Sequence, residues 1–389
     1  MILADIAKVL AAPHKAFKQI VQNPKYLGAI LVLVIFVAAQ AAFQYSYYSK
    51  IYFEETNPDI NSLGYWTQNS TLWDSSGAIS NNTLDYLNAT NNLYGLSSLQ
   101  FDLANSSSLS MALRNIGIIK CGPDSYQNFS MRARIVSPAT LPQSVNLTMY
   151  SNSDANYFTR EITAMFPNST VGLWNNLTIP VGSEASGWQN IGSPSWESIT
   201  LIKMDFAFAE NTTITVRLEG VFFRSLYQTA IESDSTGFLV YALQLVFSQF
   251  LFEWLILSAV TYLIIKVMKG NITWKPLFIA IGFSLVVMAI QSLINIAATP
   301  TLPQVYLPAE LIVGLQAEAT AAANVITPLM ATFNSISSAV QLAAWVWMGA
   351  LGAFIARALL PEFSWVKCGG ISAISLIVTI IVLRFLIGV

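Results

Sequence analysis

The chain has 389 residues, of which 54% are apolar and only 10% charged, with a formal net charge of −2 and one histidine, His14. A soluble domain carries about 25% charged residues, so this is not a single soluble globule, and it lacks the basic stripe of a nucleic-acid binder. With His14 far from the middle of the chain, a His-based metal site or a Ser-His-Asp triad in that middle region is nearly excluded, and the two cysteines, Cys121 and Cys368, provide no disulfide framework.

Residues 1–26 carry Lys8, Lys15, Lys18 and Lys25 against Asp5, and read as a cytoplasmic amphipathic segment. A helix over 14–22 gathers Phe17, Ile20 and Val21 on one face; Pro13 opens it and Pro24 ends it. It either lies among lipid headgroups or docks under a helical bundle. A first membrane span follows at 27–48, closed by Tyr45, Tyr47 and Tyr48 as an interfacial aromatic belt. Ala39-Gln40-Ala41 has the shape of a signal cleavage site, but 26 residues precede the apolar run, so it reads as a retained anchor.

Residues 49–96 are less regular and read as an extracellular stalk or as extra elements packed on the sandwich. From 97 to 225 a period of two dominates. Phe129, Met131, Ala133 and Ile135 alternate with Ser130, Arg132 and Arg134, and Ile214, Val216 and Leu218 alternate with Thr215, Arg217 and Glu219. Similar runs at 145–149, 157–162, 173–179 and 199–208 predict an all-β antiparallel sandwich. Nine asparagines here begin N-x-S/T sequons: Asn69, Asn81, Asn88, Asn105, Asn128, Asn146, Asn168, Asn176 and Asn211. Residues 51–236 hold sixteen acids against eight Lys or Arg. With a basic N-terminus, that bias puts the N-terminus in the cytoplasm, residues 50–235 outside the cell, and the C-terminus outside after five passes.

The remaining spans are expected at 237–265, 276–298, 333–356 and 369–388. An outer amphipathic helix is expected at 306–330, begun by Pro308 and bent or ended by Pro328. The fold class is a membrane α-helical bundle of five transmembrane helices with an inserted β-sandwich. Glu253 and Gln249 in the second span, and Gln291 and Asn295 in the third, are polar groups inside the membrane. They read as interhelical glue or, in the sharper reading, as a polar path centred on Glu253.

Two resemblances add to this. Trp174-Asn175-Asn176-Leu177-Thr178-Ile179-Pro180, Gly187-Trp188, Trp196 to Phe206, and Val216-Arg217-Leu218-Glu219-Gly220-Val221-Phe222-Phe223 make 97–225 similar to galactose-binding-like jelly rolls. These are common as carbohydrate-binding modules. The resemblance implies glycan binding through flat aromatic side chains, with Trp188, Trp66 and Trp73 as candidates, while Trp174 and Trp196 fill the core. It also implies structural calcium as the one candidate cofactor, although Glu219 stands where such modules often carry Asp. Pro13-His14-Lys15-Ala16-Phe17-Lys18-Gln19-Ile20, Lys269 to Ser284, Trp345-Val346-Trp347-Met348-Gly349, and Phe363 to Gly370 resemble the Yip domain family of five-pass membrane proteins. Residues 50–235 would then be an insertion in a loop that is usually short.

Phosphate-binding glycine patterns, HExxH and CxxC are absent. The sequence therefore predicts a non-enzymatic, multi-pass protein of the cell membrane. In this reading a Yip-like anchor displays a glycosylated jelly roll that binds glycan or a neighbouring envelope protein. Its expected partners are membrane lipid, that glycan or envelope protein, and other membrane subunits, not nucleic acid. The alternatives are a transporter or channel-like component with a path near Glu253, and an accessory subunit of a larger membrane complex. Sequons without disulfides point to an archaeal envelope.

Overall fold

The computed structural model describes residues 2–87, 94–167, 172–313 and 315–387. Asn88 and Asn168 lie outside the described residues. In chain order the elements begin with α1 (Ile2–Ala11), α2 (Pro13–Gln22), α3 (Tyr26–Tyr48), β1 (Ile51–Asn57), α4 (Tyr65–Gln68), β2 (Trp73–Ser75) and β3 (Ala78–Asn82). Strands β4 (Ser98–Leu113), β5 (Asn128–Ser137), β6 (Ser144–Ser151), β7 (Ser153–Glu161), β8 (Asn175–Pro180), β9 (Gln189–Ile191) and β10 (Ile199–Thr229) follow. The chain then forms α5 (Ala230–Ser233), α6 (Ser235–Val267), α7 (Trp274–Ser284), α8 (Val286–Ala298), β11 (Val305–Leu307), α9 (Glu310–Val313), α10 (Gln316–Leu359) and α11 (Trp365–Ile387). These make two compact units: a helical one of Met1–Tyr52, Thr229–Val305 and Thr327–Val389, and a β unit of Phe53–Gln228 with Tyr306–Ile326.

In the helical unit, five helical stretches are long and apolar enough to cross a membrane: Tyr26–Tyr48, Ser235–Val267, Trp274–Thr301, Gln316–Leu359 and Trp365–Phe385. Their outward side chains are apolar too; Ile30, Val34, Phe252, Leu293, Val346 and Ile381 are all exposed. A face of that kind is costly in water and matched to hydrocarbon. The third stretch is interrupted at Leu285, where the Ser284 hydroxyl donates to the Ile281 carbonyl at 2.7 Å, a bond that competes with the helical ladder. At the N-terminus there are two helices rather than one. α1 buries Ile6 and Val9, and α2 buries Ala16, Phe17 and Ile20 in the core of the bundle, so α2 docks under it. Gly282 sits where a β-carbon would come within 2.6 Å of Ala29 and 2.7 Å of the Trp254 ring, so glycine sets how closely α3, α6 and α7 approach.

Two expectations fail here. No separate helix covers 306–330: β11 and α9 occupy its start, and residues 316–330 are the first turns of α10, which runs through Pro328. One proline removes one hydrogen bond from a 44-residue helix, a loss that the long apolar run on its C-terminal side outweighs. Nor are residues 49–96 a stalk. They supply β1, β2 and β3, all paired within the sheet.

The β unit is organised by two long antiparallel strands. β10 pairs with β4 from Ile202 opposite Leu113 to Leu218 opposite Leu99, with register shifts between Ala207 and Ile214. On one side of the shift, β10 also pairs with β6, which continues to β7 and β9. On the other it pairs with β5, which continues to β8. The alternation read from the sequence places Met131, Leu147, Met204, Phe206, Val216 and Leu218 in one core cluster, which Leu99 and Phe101 of β4 complete, each contributing about 1.5–3 kcal/mol on burial. Segment 306–318 is held to this sandwich by ion pairs. Arg224 bonds Glu54 (2.9 and 2.8 Å) and Glu310, and Glu54 also accepts the Ala309 N–H at 2.6 Å. Burial alone would lower the Arg224 pKa, but its bonds to Glu310 and Glu54 raise it. Arg132 bonds both Glu318 oxygens at 3.0 and 2.9 Å.

Two outcomes test this packing. Arg224→Met leaves Glu54 and Glu310 without their cation, and is expected to cost about 3–5 kcal/mol of unfolding free energy, read as a lowered denaturation midpoint. Gly282→Ala is expected to cost about 1–3 kcal/mol by overpacking. Gly369→Ala, where a β-carbon meets open space, should leave the thermal midpoint in detergent unchanged.

Candidate functional site: an open face of the sandwich

The β unit presents two sheet faces away from its core, and they differ in kind. The first is the outer face of β4, β10, β5 and β8. It carries Gln100, Asp102, Ser130, Arg132, Arg134, Thr215, Arg217 and Glu219, opposite in alternation to the core residues. This polar face is already occupied by the chain itself. Asp85 bonds Arg134 through two contacts of 2.9 Å and also pairs with Arg217. Tyr94 lies under the Arg132 guanidinium, 4.2 Å from carbon to ring centroid. Leu63, Tyr94, Phe222 and Ala309 form a small apolar cluster there. Glu219 is fully buried; one oxygen accepts the Leu87 N–H at 2.7 Å and the other has no partner. Burial pushes its pKa up to about 8, with Asp85 adding to the rise and the Leu87 N–H and Arg132 opposing it. Glu219 thus stands where the jelly-roll resemblance has an acid, with its bonded oxygen engaged by the chain's own backbone. Among the described residues no group of three or more His, Cys, Asp or Glu is placed to hold a metal ion.

The second face is open. The pairings across β2, β4, β10, β6, β7 and β9 set its residues in rows. One row runs Asp74, Ala112, Lys203, Thr148, Thr159, Gln189. The next places Leu201 beside Tyr150, Tyr157 and Ile191, and a third runs Ser110, Asp205, Asn146, Glu161. A groove of about 310 Å³ crosses it, lined by Asp74, Ser110, Arg114, Tyr150, Asp154 and Lys203 among others. The Tyr150 and Tyr157 rings are neighbours with centroids 5.2 Å apart. Burial, together with Asp205, Tyr157 and Asp154, raises the Tyr150 pKa against the lowering effect of Lys203, so its phenol keeps its proton and can donate. Arg114 pairs with Asp74, and Lys203 with Asp205 at 2.9 Å. Flat aromatic surface flanked by paired donors and acceptors is the arrangement that holds a polyhydroxylated ligand.

The tryptophans expected to bind glycan are not on this face. Trp66 and Trp73 are buried in the core, and the Trp73 indole N–H donates to the Trp66 carbonyl at 2.7 Å. Two large rings in a pattern-poor segment filled the sandwich interior instead of a loop. Trp188 is half-buried against the core, donates to the Pro180 carbonyl at 2.8 Å and meets Trp196 edge to face. Trp196 packs on the core and stacks on Phe158 with centroids 3.8 Å apart. Trp174 is not in that core; its N–H points to Asp85 at 3.3 Å. Tyr150, Tyr157, Arg114 and Lys203 escaped the sequence reading. The strands at 145–149 and 157–162 were legible, and the non-core phase of each names Tyr150 and Tyr157, but nothing in the sequence pairs those strands.

Among the sequons, Asn105 and Asn211 are exposed, close to the shift in the β4–β10 register. Asn81 and Asn176 are exposed but bonded to Gln68 and Glu318, and half-buried Asn128 bonds Ser225 at 2.8 Å. Asn69 caps Thr71, and Asn146 stands on the open face itself. In the helical unit, Glu253 is buried on α6 and Asn295 on α8, while Gln249 and Gln291 are half-buried. None of the four bonds another. The Ser292 hydroxyl donates to Gln40 at 2.6 Å, and the Asn295 side-chain oxygen has no partner. Side-chain bonds between helices are made instead by Ser292 to Gln40, by the Trp254 indole to the Phe278 carbonyl at 2.6 Å and by Ser372 to the Gly349 carbonyl at 2.6 Å.

No family model and no curated protein matches the chain; the resemblance to the Yip domain family gains no support there. Solved structures do match in part. A family 11 carbohydrate-binding module of a cellulosomal cellulase of Clostridium thermocellum is 11% identical, with a TM-score of 0.25 over 39% of this chain and 86% of that one. The same family of module in complex with a β-1,3-1,4-mixed-linked tetrasaccharide is 10% identical, with a TM-score of 0.25 over 39% and 88%. A β-1,2-glucanase of Parabacteroides distasonis is 14% identical, with a TM-score of 0.28 over 42% of this chain and 24% of its own. Likeness at this level does not carry function, which is read from the exposed faces themselves.

A carboxyl held near pKa 8 against an ordinary 4.5 keeps its proton in the folded chain where the unfolded chain has lost it. The stability it contributes is full below about pH 4.5 and is lost as the pH rises through about 8. Glu219→Gln, which cannot ionise, is expected to gain stability relative to the parent as the pH is raised from 5 to 9. Paired denaturation midpoints across that range check it; a constant difference would refute the buried neutral carboxyl.

Proposed function

We propose that the protein is a membrane-anchored glycan-binding protein, in which the helical unit spans the membrane and the β unit projects outside the cell. The single observation that carries this is the open groove at Tyr150, where a pair of tyrosine rings, hydroxyls and balanced charges stand free of any covering segment. Its volume of about 310 Å³ lies at the small end of ligand sites, suited to one or two sugar rings of a longer chain. The charges there alternate in sign, which favours a neutral or zwitterionic glycan over a polyanion. Exposed Asn105 and Asn211 lie at the register shift and suit glycosylation of an exported domain. The likeness to Yip anchors rests on sequence motifs alone and adds no partner to this reading. A neighbouring envelope protein presenting its own glycans is a ligand of the same chemistry. Binding without turnover is part of the proposal.

The test is a glycan array probed with the intact protein in detergent. Some oligosaccharide is expected to bind, and Tyr150→Ala or Tyr157→Ala to weaken it about tenfold, the cost of losing one central aromatic contact. The thermal midpoint should stay near that of the parent. An array without a ligand, or a ligand indifferent to both changes, refutes the reading. Release of new reducing ends from a bound oligosaccharide refutes the part that denies turnover.

A further inference from the structure

The first two helices do more than fill the underside of the bundle. They enclose, with α3 and α7, a cavity of about 250 Å³ whose lining includes Lys8, Gln19, Asn23, Lys25, Gly28 and Phe283, against about 30 Å³ for one water molecule. Its floor is apolar, because Gly28 has no side chain. A β-carbon there would fall 1.9 Å from the tip of the Phe283 ring, so the ring takes that space. Its mouth is rich in donors. Lys25 is exposed and makes no ion pair or hydrogen bond among the described residues. Lys8 is held only at the limits of contact, 3.9 Å from Asp5 and 3.5 Å from Gln19. A third amine, Lys275, lies 5.6 Å from the Tyr26 ring, next along the chain from Lys25. Asp5 is the one acid in the lining.

Two loosely held ammonium groups and two carboxamides converging on one cavity are ligands for a phosphate oxygen. Apolar side chains stand exposed on the same elements: Leu3 on α1, and Leu27 and Ile30 at the start of α3. An inorganic anion has no use for them; an acyl chain does. α3 begins at Tyr26 and α7 at Trp274, so the cavity lies at the level where apolar helices emerge toward the headgroups. We infer that this cavity is a binding site for the phosphodiester headgroup of an anionic phospholipid, with Lys8 and Lys25 as its cationic ligands. The inference stands apart from the glycan reading, which concerns the other unit.

The experiment uses the full chain in a mild detergent and follows its thermal midpoint as short-chain phosphatidylglycerol, short-chain phosphatidylcholine or inorganic phosphate is added. Phosphatidylglycerol is expected to raise the midpoint well beyond either of the others. Lys8→Gln with Lys25→Gln should lower its apparent affinity about tenfold or more, as expected for two lysines near a lipid surface. Lys15→Gln with Lys18→Gln, an equal charge change on exposed positions outside the cavity, should leave it within twofold. Since Lys8 also touches Gln19, Lys25→Gln alone serves as the second variant, and its loss should be several-fold. Equal losses in the two double variants would show general electrostatics and overturn the site. An equal response to inorganic phosphate would show a free-anion site and overturn the lipid, and no preference over phosphatidylcholine would overturn both.

Discussion

The pairing of β10 with β4 is the constraint on which the β unit depends. The single 11-stranded sheet is built outward from it, and its register, with Ile202 on Leu113 and Leu218 on Leu99, decides which alternate residues enter the core. Because side chains in a strand repeat every two residues, a slip of one would send Met204, Phe206 and Val216 to the surface and bury Lys203, Asp205 and Arg217. Lys203 and Asp205 would carry their ion pair inward with them, but Arg217 would leave Asp85, and a cation buried without a partner is costly, so the alternation locks the register. The shifts between Ala207 and Ile214 let the paired strands bend there while keeping their apolar side inward.

That single register makes two polar faces with opposite fates. On one, Arg132, Arg217 and Glu219 meet Asp85, Tyr94 and Glu318 from the chain's own covering segments, and the charges are consumed in internal pairs. Arg132 is 4% exposed there and Glu318 24%, so the two bonds that one Arg132 nitrogen makes to the Glu318 oxygens are largely shielded from water. On the other face no described residue covers the groove at Tyr150 and Lys203, and the same kinds of residue stay accessible. Aromatic content alone therefore does not say which rings stay accessible: Trp66 and Trp73 are packed away, while Tyr150 and Tyr157 lie side by side on the open face.

The helical unit follows different rules, since five of its helical stretches are long and apolar enough to cross a membrane. Its helices are apolar inside and out, so burial alone does not fix their arrangement as it does for the strands, and close contacts do. Gly28 admits the Phe283 ring, Gly282 admits Ala29 and Trp254, and Ser292 reaches Gln40. Small residues and short hydrogen bonds are the usual means of association where neighbouring lipid is as apolar as the helix. The lysines gather where these helices begin and end, at Lys25, Lys266, Lys269 and Lys275, leaving the stretches between nearly free of charge.

The sequence by itself determined the division into apolar helices and an alternating polar domain, because hydrophobic run length and a period of two are local properties. It also determined the phase of the alternation, and so named the core of β5 and the second half of β10 before any contact was known. It did not determine that residues 51–82 supply strands, since short strands carry too little periodicity, nor that α10 runs through Pro328, since that balance depends on what flanks the proline. The pairing of Arg224 with Glu54 and Glu310, of Arg132 with Glu318, and the meeting of Tyr150, Lys203 and Arg114 on one face were decided only by the tertiary structure. The partners lie up to 186 residues apart, and which distant segments meet is fixed by packing of the whole chain, not by any local pattern.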